Sequence, residues 1–283
     1  MDIAVSATVT VVMIAKNEGP YLVEWLAYHR VLGFDEIVIY ENNSTDDSDT
    51  ILRKLAGAGK VTHRKWTLGR NESPQITAYQ DALRKVKTDW ILFIDADEFL
   101  VLQNETSVKA FLAPLDARKE VSAIGVNWRI FGSAGLLTND GRPVMERFTL
   151  AAEPDFVVNT HLKSFSRVAS LSGMVHMHAC ATKGKMVHPS GEPLTMLNWG
   201  LSEKVELDVA QINHYYTKTP EEYELKKARG QGGAGDNKPE LKFWYNDESF
   251  VGHNRNDVKD VKILERYEEV KAEVARLNSI LTA

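Results

Sequence analysis

Asp89-Trp90-Ile91-Leu92-Phe93-Ile94-Asp95-Ala96-Asp97-Glu98 is the stretch on which the fold turns. An unbroken apolar run marks a strand buried on both faces, and here it ends in a cluster of acids. The same grammar repeats toward the N-terminus. Val9 to Ala15 is another continuous, β-branched strand, broken by Asn17-Glu18-Gly19-Pro20. Leu22, Trp25, Leu26, His29 and Leu32 then follow at helical spacing, with Gly33 where that helix should stop. Glu36 to Tyr40 reads as a second strand. Ser44-Thr45-Asp46-Asp47 supplies N-cap residues for a helix with Ile51, Leu52 and Leu55 on one face. Val61 to Trp66 is a third strand and Pro74 to Val86 a third helix.

Alternating strands and helices predict an α/β protein with a mixed, mostly parallel central sheet and flanking helices. Ligands in such sheets sit beyond the C-terminal strand ends. Those ends are Lys16-Asn17-Glu18, Glu41-Asn42-Asn43, Thr67 to Arg70, and Asp95 to Glu98.

Past Leu102 the pattern loosens. A helix is predicted at Ser107 to Leu115, a strand at Val121 to Ile130, and an irregular loop over 131–145. Strand-like pieces recur at His161 to Arg167, Gly173 to His178 and Val205 to Tyr216. Thr219 caps a predicted helix over Pro220 to Arg229, and the glycine-rich Gly230 to Gly235 follows. Asp257 to Leu281 reads as one long amphipathic helix, expected to pack on its own domain rather than on a second copy or a membrane surface. The expected organisation is a domain over 1–230, with a nucleotide half (1–102) and an acceptor side (103–230), then a helical extension over 231–283.

The chain has 283 residues, with 34 Lys and Arg against 39 Asp and Glu, a net charge of −5. A nucleic-acid binder would show a basic surplus, so no nucleic-acid partner is expected. A single cysteine, Cys180, excludes an internal disulfide framework. No apolar run is long enough to span a bilayer, and Met1 to Thr8 carry no Lys or Arg, so a cytoplasmic location, at most against the inner membrane face, is expected.

If the chain stays extended past Ile94, Asp95 and Asp97 face one site. Two such charges about 4 Å apart at an effective dielectric near 20 repel by roughly 4 kcal/mol, which calls for a counter-ion. A hard divalent cation, Mg²⁺ or Mn²⁺, fits and would in turn favour a diphosphate. No dinucleotide-binding or P-loop glycine motif follows the first strand.

Lys16-Asn17-Glu18, Glu24-Trp25, Tyr28-His29, Gly33-Phe34-Asp35, Asn43-Ser44-Thr45-Asp46 and Asp95-Ala96-Asp97-Glu98-Phe99 together resemble the glycosyltransferase family 2 and family 92 group. The resemblance continues through Trp128, Phe131-Gly132-Ser133, His176-Met177-His178 and Ile212-Asn213-His214-Tyr215-Tyr216-Thr217-Lys218, with Lys227 and Arg229-Gly230, and so covers roughly residues 9 to 230. It implies the GT-A nucleotide-sugar fold and an inverting, metal-dependent transfer of a hexose from a UDP-sugar to a glycan or glycolipid acceptor, as in polysaccharide biosynthesis. It also implies Asp95 and Asp97 as metal and diphosphate ligands, with Asn17, Glu18, Asn43 and Asp46 beside the nucleoside. His214 is the expected third metal ligand, with His178 competing.

Lys218 and Arg229 are the foremost cations for the diphosphate, ahead of Lys16, Arg70 and Lys163, and Gly230 to Gly235 is a candidate closing loop. Glu98, Glu146 and Asp155 are candidates for the base, with Asp140 and Glu153 beside them, and none is singled out. Trp128, Phe131, Trp199, Trp244 and Tyr245 are candidates for an acceptor platform. His29 reads as a packed core residue; His63, His188 and His253 read as surface. Two alternatives stand beside the transferase: a nucleotidyltransferase on the same sheet, which should carry a basic glycine-rich first loop that is absent here, and a non-catalytic glycan-binding or scaffold protein.

Overall fold

A computed structural model describes residues 6–67, 73–174, 176–229 and 245–283. The first half alternates as the sequence predicts: β1 (Val9–Ala15), α1 (Gly19–Leu32), β2 (Glu36–Glu41), α2 (Ser48–Gly57), β3 (Thr62–Lys65), α3 (Pro74–Lys85), β4 (Trp90–Phe93) and β5 (Glu98–Leu102). Then come α4 (Val108–Asp116), β6 (Val121–Ile130), α5 (Val144–Arg147), β7 (Leu150–Ala151) and β8 (Leu162–Arg167). Short strands follow at Leu171–Met174 (β9), Cys180–Thr182 (β10), Lys185–Val187 (β11), Met196–Asn198 (β12) and Leu201–Ser202 (β13). The last elements are β14 (Ala210–His214), α6 (Pro220–Arg229), α7 (Asp247–His253), β15 (Val258–Lys259) and α8 (Tyr267–Thr282).

The central sheet runs β3-β2-β1-β4-β8-β6-β14-β5, with β11 on β6. β3, β2, β1 and β4 are parallel, so their C-terminal ends share one edge. β8 runs antiparallel between β4 and β6, and β5 turns back against β14. This is the mixed, mostly parallel α/β class expected.

The apolar side chains of β1 meet one or other of two clusters. Val9, Val11 and Met13 pack with Trp25, Leu26, Tyr28, Leu52 and Leu277. Val12 packs on the opposite face with Ala78, Tyr79 and Phe93. Burial on both faces is why the strands read as unbroken apolar runs. Gly33 ends α1 at φ 94°, a left-handed value that favours glycine. His29 is fully buried, its Nδ1 2.8 Å from Trp25 O, which is the core role expected.

Three expectations are corrected. The long C-terminal helix is interrupted: Asp260 Oδ1 accepts the Lys262 N–H at 3.2 Å, and residues 258–259 pair with β7 instead. His176 and His178 lie in the turn between β9 and β10, not in a strand, although their rings stack 4.9 Å apart. His188 is buried, at 4% exposure, and His63 is half-buried with its side chain 9% exposed. The remaining C-terminal helix, α8, packs on α1, where Glu273 Oε1 accepts from Arg30 Nε at 2.7 Å.

Two devices fasten the second half to the first. The α6 N-terminus is a reciprocal cap in which Glu222 N donates to Thr219 Oγ1 and Thr219 N to Glu222 Oε2. The same carboxylate receives both Arg147 Nη1 and Nη2 at 2.8 and 2.9 Å, and Tyr21 Oη at 2.8 Å. Gly132 leaves room for residues 254–256 to cross, since a Cβ there would overlap Arg255 O and the Asn256 amide. Asn254 Oδ1 and Asn256 Oδ1 then accept the Ser133 and Ala134 N–H groups, both at 2.7 Å.

Glu222→Gln is expected to destabilise by roughly 3–5 kcal/mol, because it strands a buried guanidinium, as a denaturant titration would read. Burial raises the Glu222 pKa, but the Arg147, Thr219 and Tyr21 hydrogen bonds outweigh it and hold the carboxyl below its ordinary value. Its contribution is therefore complete above the unfolded value and is lost as pH falls through the lower folded one. The variant should lose that part of the acid dependence. Gly132→Ala should cost about 1–3 kcal/mol by overpacking, read the same way.

Candidate functional site

The acidic stretch after β4 does not stay extended. Asp95 to Glu98 form a turn closed by the Glu98 N–H to Asp95 O at 3.1 Å. Glu98 Oε2 accepts the Asp95 N–H at 2.8 Å, and Trp25 Nε1 donates to Glu98 O at 2.9 Å. The condition for two co-facing carboxylates therefore fails. Asp95 Oδ2 meets Lys163 Nζ at 2.8 Å and its Oδ1 meets Gln75 Nε2 at 2.8 Å. Asp97 Oδ2 meets Lys226 Nζ at 2.7 Å, and its Oδ1 faces His214 Nε2 at 3.6 Å. The turn sends the like charges to different cations.

Burial sets the electrostatics. Glu98 is fully buried, and desolvation pushes its carboxyl up to about 8 against the pull of Lys163. For Asp97, burial acts upward, but Lys226 and His214 outweigh it and hold the carboxyl well below the usual range. Burial lowers the His214 pKa, with Asp97 acting the other way. Its Nδ1 is buried without a hydrogen-bond partner. Lys218, at φ 48°, lies over the Tyr21 ring at 4.1 Å and makes no ion pair among the described residues. Burial lowers its pKa, while Glu18 and Asp97 act the other way.

Beside this group, the ends of β1 and β2 brace each other. The Asn17 N–H donates to Ser44 Oγ, Asn17 Oδ1 accepts the Thr45 N–H, and the Gly19 N–H donates to Asp46 Oδ2. Asn43 Oδ1 accepts from Thr67 Oγ1 at 2.7 Å, and both Asn17 and Asn43 have positive φ. Arg229 pairs with Glu18 and donates to Lys16 O, so the end of α6 lies on the β1–α1 loop.

The structure thus brings Asp95, Asp97, Glu98, Lys163, His214 and Lys218 into one cluster next to the Glu18–Arg229 pair. His214, not His178, faces Asp97. His178 Nδ1 is 3.0 Å from Leu162 O, and its ring lies 5.2 Å from Trp128. Trp128 also has His161 stacked at 4.7 Å and His214 at 4.2 Å. Phe131 is in the core, Trp199 is exposed, and Tyr245 lies beside Lys226. Glu146 hydrogen-bonds Tyr267, and Asp155 is exposed. Arg70, Gly230 to Gly235 and Trp244 lie outside the described residues.

Lys226 is the residue that sequence reasoning missed. It sits one helical turn before Arg229, on the same face of α6, and that spacing was the available signal. Glu24, prominent in the resemblance, caps α5 instead: its carboxylate accepts the Val144 and Met145 N–H groups at 2.7 and 2.9 Å. Among the described residues no helix is long and apolar enough to cross a membrane.

The sequence model of glycosyltransferase family 92 matches residues 9–143. A family 92 glycosyltransferase protein of Ricinus communis is 31% identical over 128 residues, 43% of this chain and 22% of its own. The match thus spans about a fifth of that curated relative. A Mycobacterium tuberculosis glucosyl-3-phosphoglycerate synthase, solved with Mn²⁺, UDP and glucosyl-3-phosphoglycerate, is 18% identical over 44% of each chain, with a TM-score of 0.32. A Pyrobaculum calidifontis mannosyltransferase, solved with GDP-Man and Mn²⁺, is 20% identical over 44% of this chain and 37% of its own, with a TM-score of 0.34. Over residues 9–143, which carry the strand-end motifs, the chain is thus similar to the family 92 glycosyltransferases.

Proposed function

We propose that the protein is a metal-dependent, inverting glycosyltransferase that moves a hexose from a UDP-sugar to a glycan or glycolipid acceptor. One observation carries this reading. Asp97, an imidazole with an unpartnered nitrogen and the unpaired cation Lys218 gather where the sheet presents its C-terminal strand ends.

The donor set fits a divalent cation, Mn²⁺ or Mg²⁺. His214 Nε2 and Asp97 Oδ1, 3.6 Å apart, are too far for a good hydrogen bond, and carboxylate with neutral imidazole suits Mn²⁺. Asp97 and His214 would hold the cation, while Asp95 is turned to Lys163, and the cation when bound would stabilise charge on the leaving diphosphate. Lys218 supplies positive charge to the same anion. Lys226, held on Asp97 by a 2.7 Å contact, is the ammonium that must share or yield that carboxylate. Asn17, Asn43 and Asp46 shape the loops where the nucleoside would lie, and the Glu18–Arg229 pair closes their edge.

Three outcomes are expected. UDP with Mn²⁺ should raise the melting temperature, by an amount equivalent to about 2.7 kcal/mol at a hundredfold excess over Kd. Asp97→Ala should abolish the shift. Stabilisation by GDP instead would change the donor, and no shift with any nucleoside diphosphate would overturn the enzyme reading. Lys218→Met should weaken nucleotide affinity by about tenfold or more in calorimetry, since it removes a charge-assisted contact. Lys226→Met should lower the metal-free melting temperature while enlarging the Mn²⁺-induced rise, because Asp97 is left buried without its cation.

A further inference from the structure

We propose that Glu41, Asp49 and His63 form a second divalent-metal site, of the class that takes Zn²⁺, separate from the Asp95–Asp97 cluster. Glu41 ends β2, Asp49 lies in the first turn of α2, and His63 is on β3. One ligand atom from each lies within 4.8 Å of the others, and among the described residues this is the group of three that converges so closely.

Each of the three residues also has one ligand atom left unused. Glu41 Oε1 accepts the Ser44 N–H, while Oε2 is buried with no partner on a fully buried residue. Asp49 Oδ2 accepts from Arg53 Nε at 3.0 Å, while Oδ1 is buried and unpartnered. His63 Nε2 is also buried and unpartnered, on a side chain 9% exposed. Within the group, Asp49 Oδ1 stands 3.7 Å from His63 Nε2 and 4.0 Å from Lys65 Nζ, both beyond hydrogen-bond range. Buried polar atoms are normally satisfied, so three orphans aimed at one point mark the place of a missing partner.

The chemistry of that partner follows from the donors. Two carboxylates and an imidazole demand a cation, and no lysine or arginine forms an ion pair with Glu41 among the described residues. The His63 imidazole supplies a nitrogen donor through its unpartnered Nε2. Mixed nitrogen and oxygen donors favour Zn²⁺ over Mg²⁺ or Ca²⁺, which prefer oxygen alone. Three protein ligands leave a fourth position, and the partly exposed Asp49 marks the side open to water. In the sheet order β1 stands between β2 and β4, and β8 and β6 between β4 and β14, so the two groups occupy different stretches of the strand-end edge. A metal here would clamp α2 to β2 and β3, steadying the 42–48 loop that carries Asn43 and Asp46.

The test is Zn²⁺ binding to the full chain by calorimetry and elemental analysis after dialysis. The Asp97→Asn variant removes the other cluster from the count. One Zn²⁺ per chain should bind to Asp97→Asn and be lost from Asp97→Asn/His63→Gln and Asp97→Asn/Asp49→Asn, each confirmed as folded by circular dichroism. Co²⁺ added to Asp97→Asn should give visible absorption bands that His63→Gln abolishes. Failure of Asp97→Asn to bind Zn²⁺, or equal binding after either substitution, would overturn the proposal. The reading does not depend on the transferase assignment, whose own test uses nucleotide.

Discussion

Burying Asp97 and Glu98 beside a half-buried Asp95 at the end of one strand calls for cations nearby, and these cations come from far along the chain. Asp95 and Glu98 draw on Lys163 of β8, and Asp97 draws on Lys226 of α6. The desolvation cost of each ion is several kcal/mol, so neither side is stable buried alone. This constraint explains the architecture around β4. An antiparallel β8 must lie against it to deliver a lysine from the neighbouring strand, and α6 must fold back over the β1–α1 loop. The charges that suit the site to an anionic ligand also hold its two halves together.

Most of the first hundred residues were legible, because hydrophobic period and strand-end chemistry are local properties. Val9–Ala15 and Trp90–Phe93 lie where their unbroken apolar runs placed them, and Gly33 stops α1 for the conformational reason inferred. The part after Leu102 was less legible because its strands are short and pair across long separations, as β14 does with β5 and β6. The Asp95–Glu98 turn was misread for a related reason. Alternation says where side chains point only while the backbone stays extended, and a side chain three residues on captured the Asp95 N–H. The C-terminal helix was overdrawn because its apolar spacing persists through Asp260, whose short carboxylate turns the chain locally.

The motifs behind the family resemblance divide by physical task. Glu24, Tyr28, Gly33 and Gly132 hold the scaffold: a helix cap, a hydroxyl on Leu100 O, a left-handed turn and a close crossing. Asn17, Ser44 and Asp46 brace two strand ends against each other, so the loops at those ends are preformed. Asp97, Glu98, His214 and Lys218 instead combine burial with charge or an unfilled bonding capacity. Residue types that recur together in sequence therefore have different physical reasons for being there.

The packing of α8 on α1 bears on how the chain reaches this structure. Val270 and Leu277 fill the same cluster as Trp25, Leu26 and Leu52. The outer layer of the first βα units is thus completed by residues more than two hundred positions later. During synthesis the leading half must wait, with the apolar face of α1 uncovered, until the last helix arrives. Such sequence-distant closure slows folding and leaves the growing chain dependent on protection from aggregation.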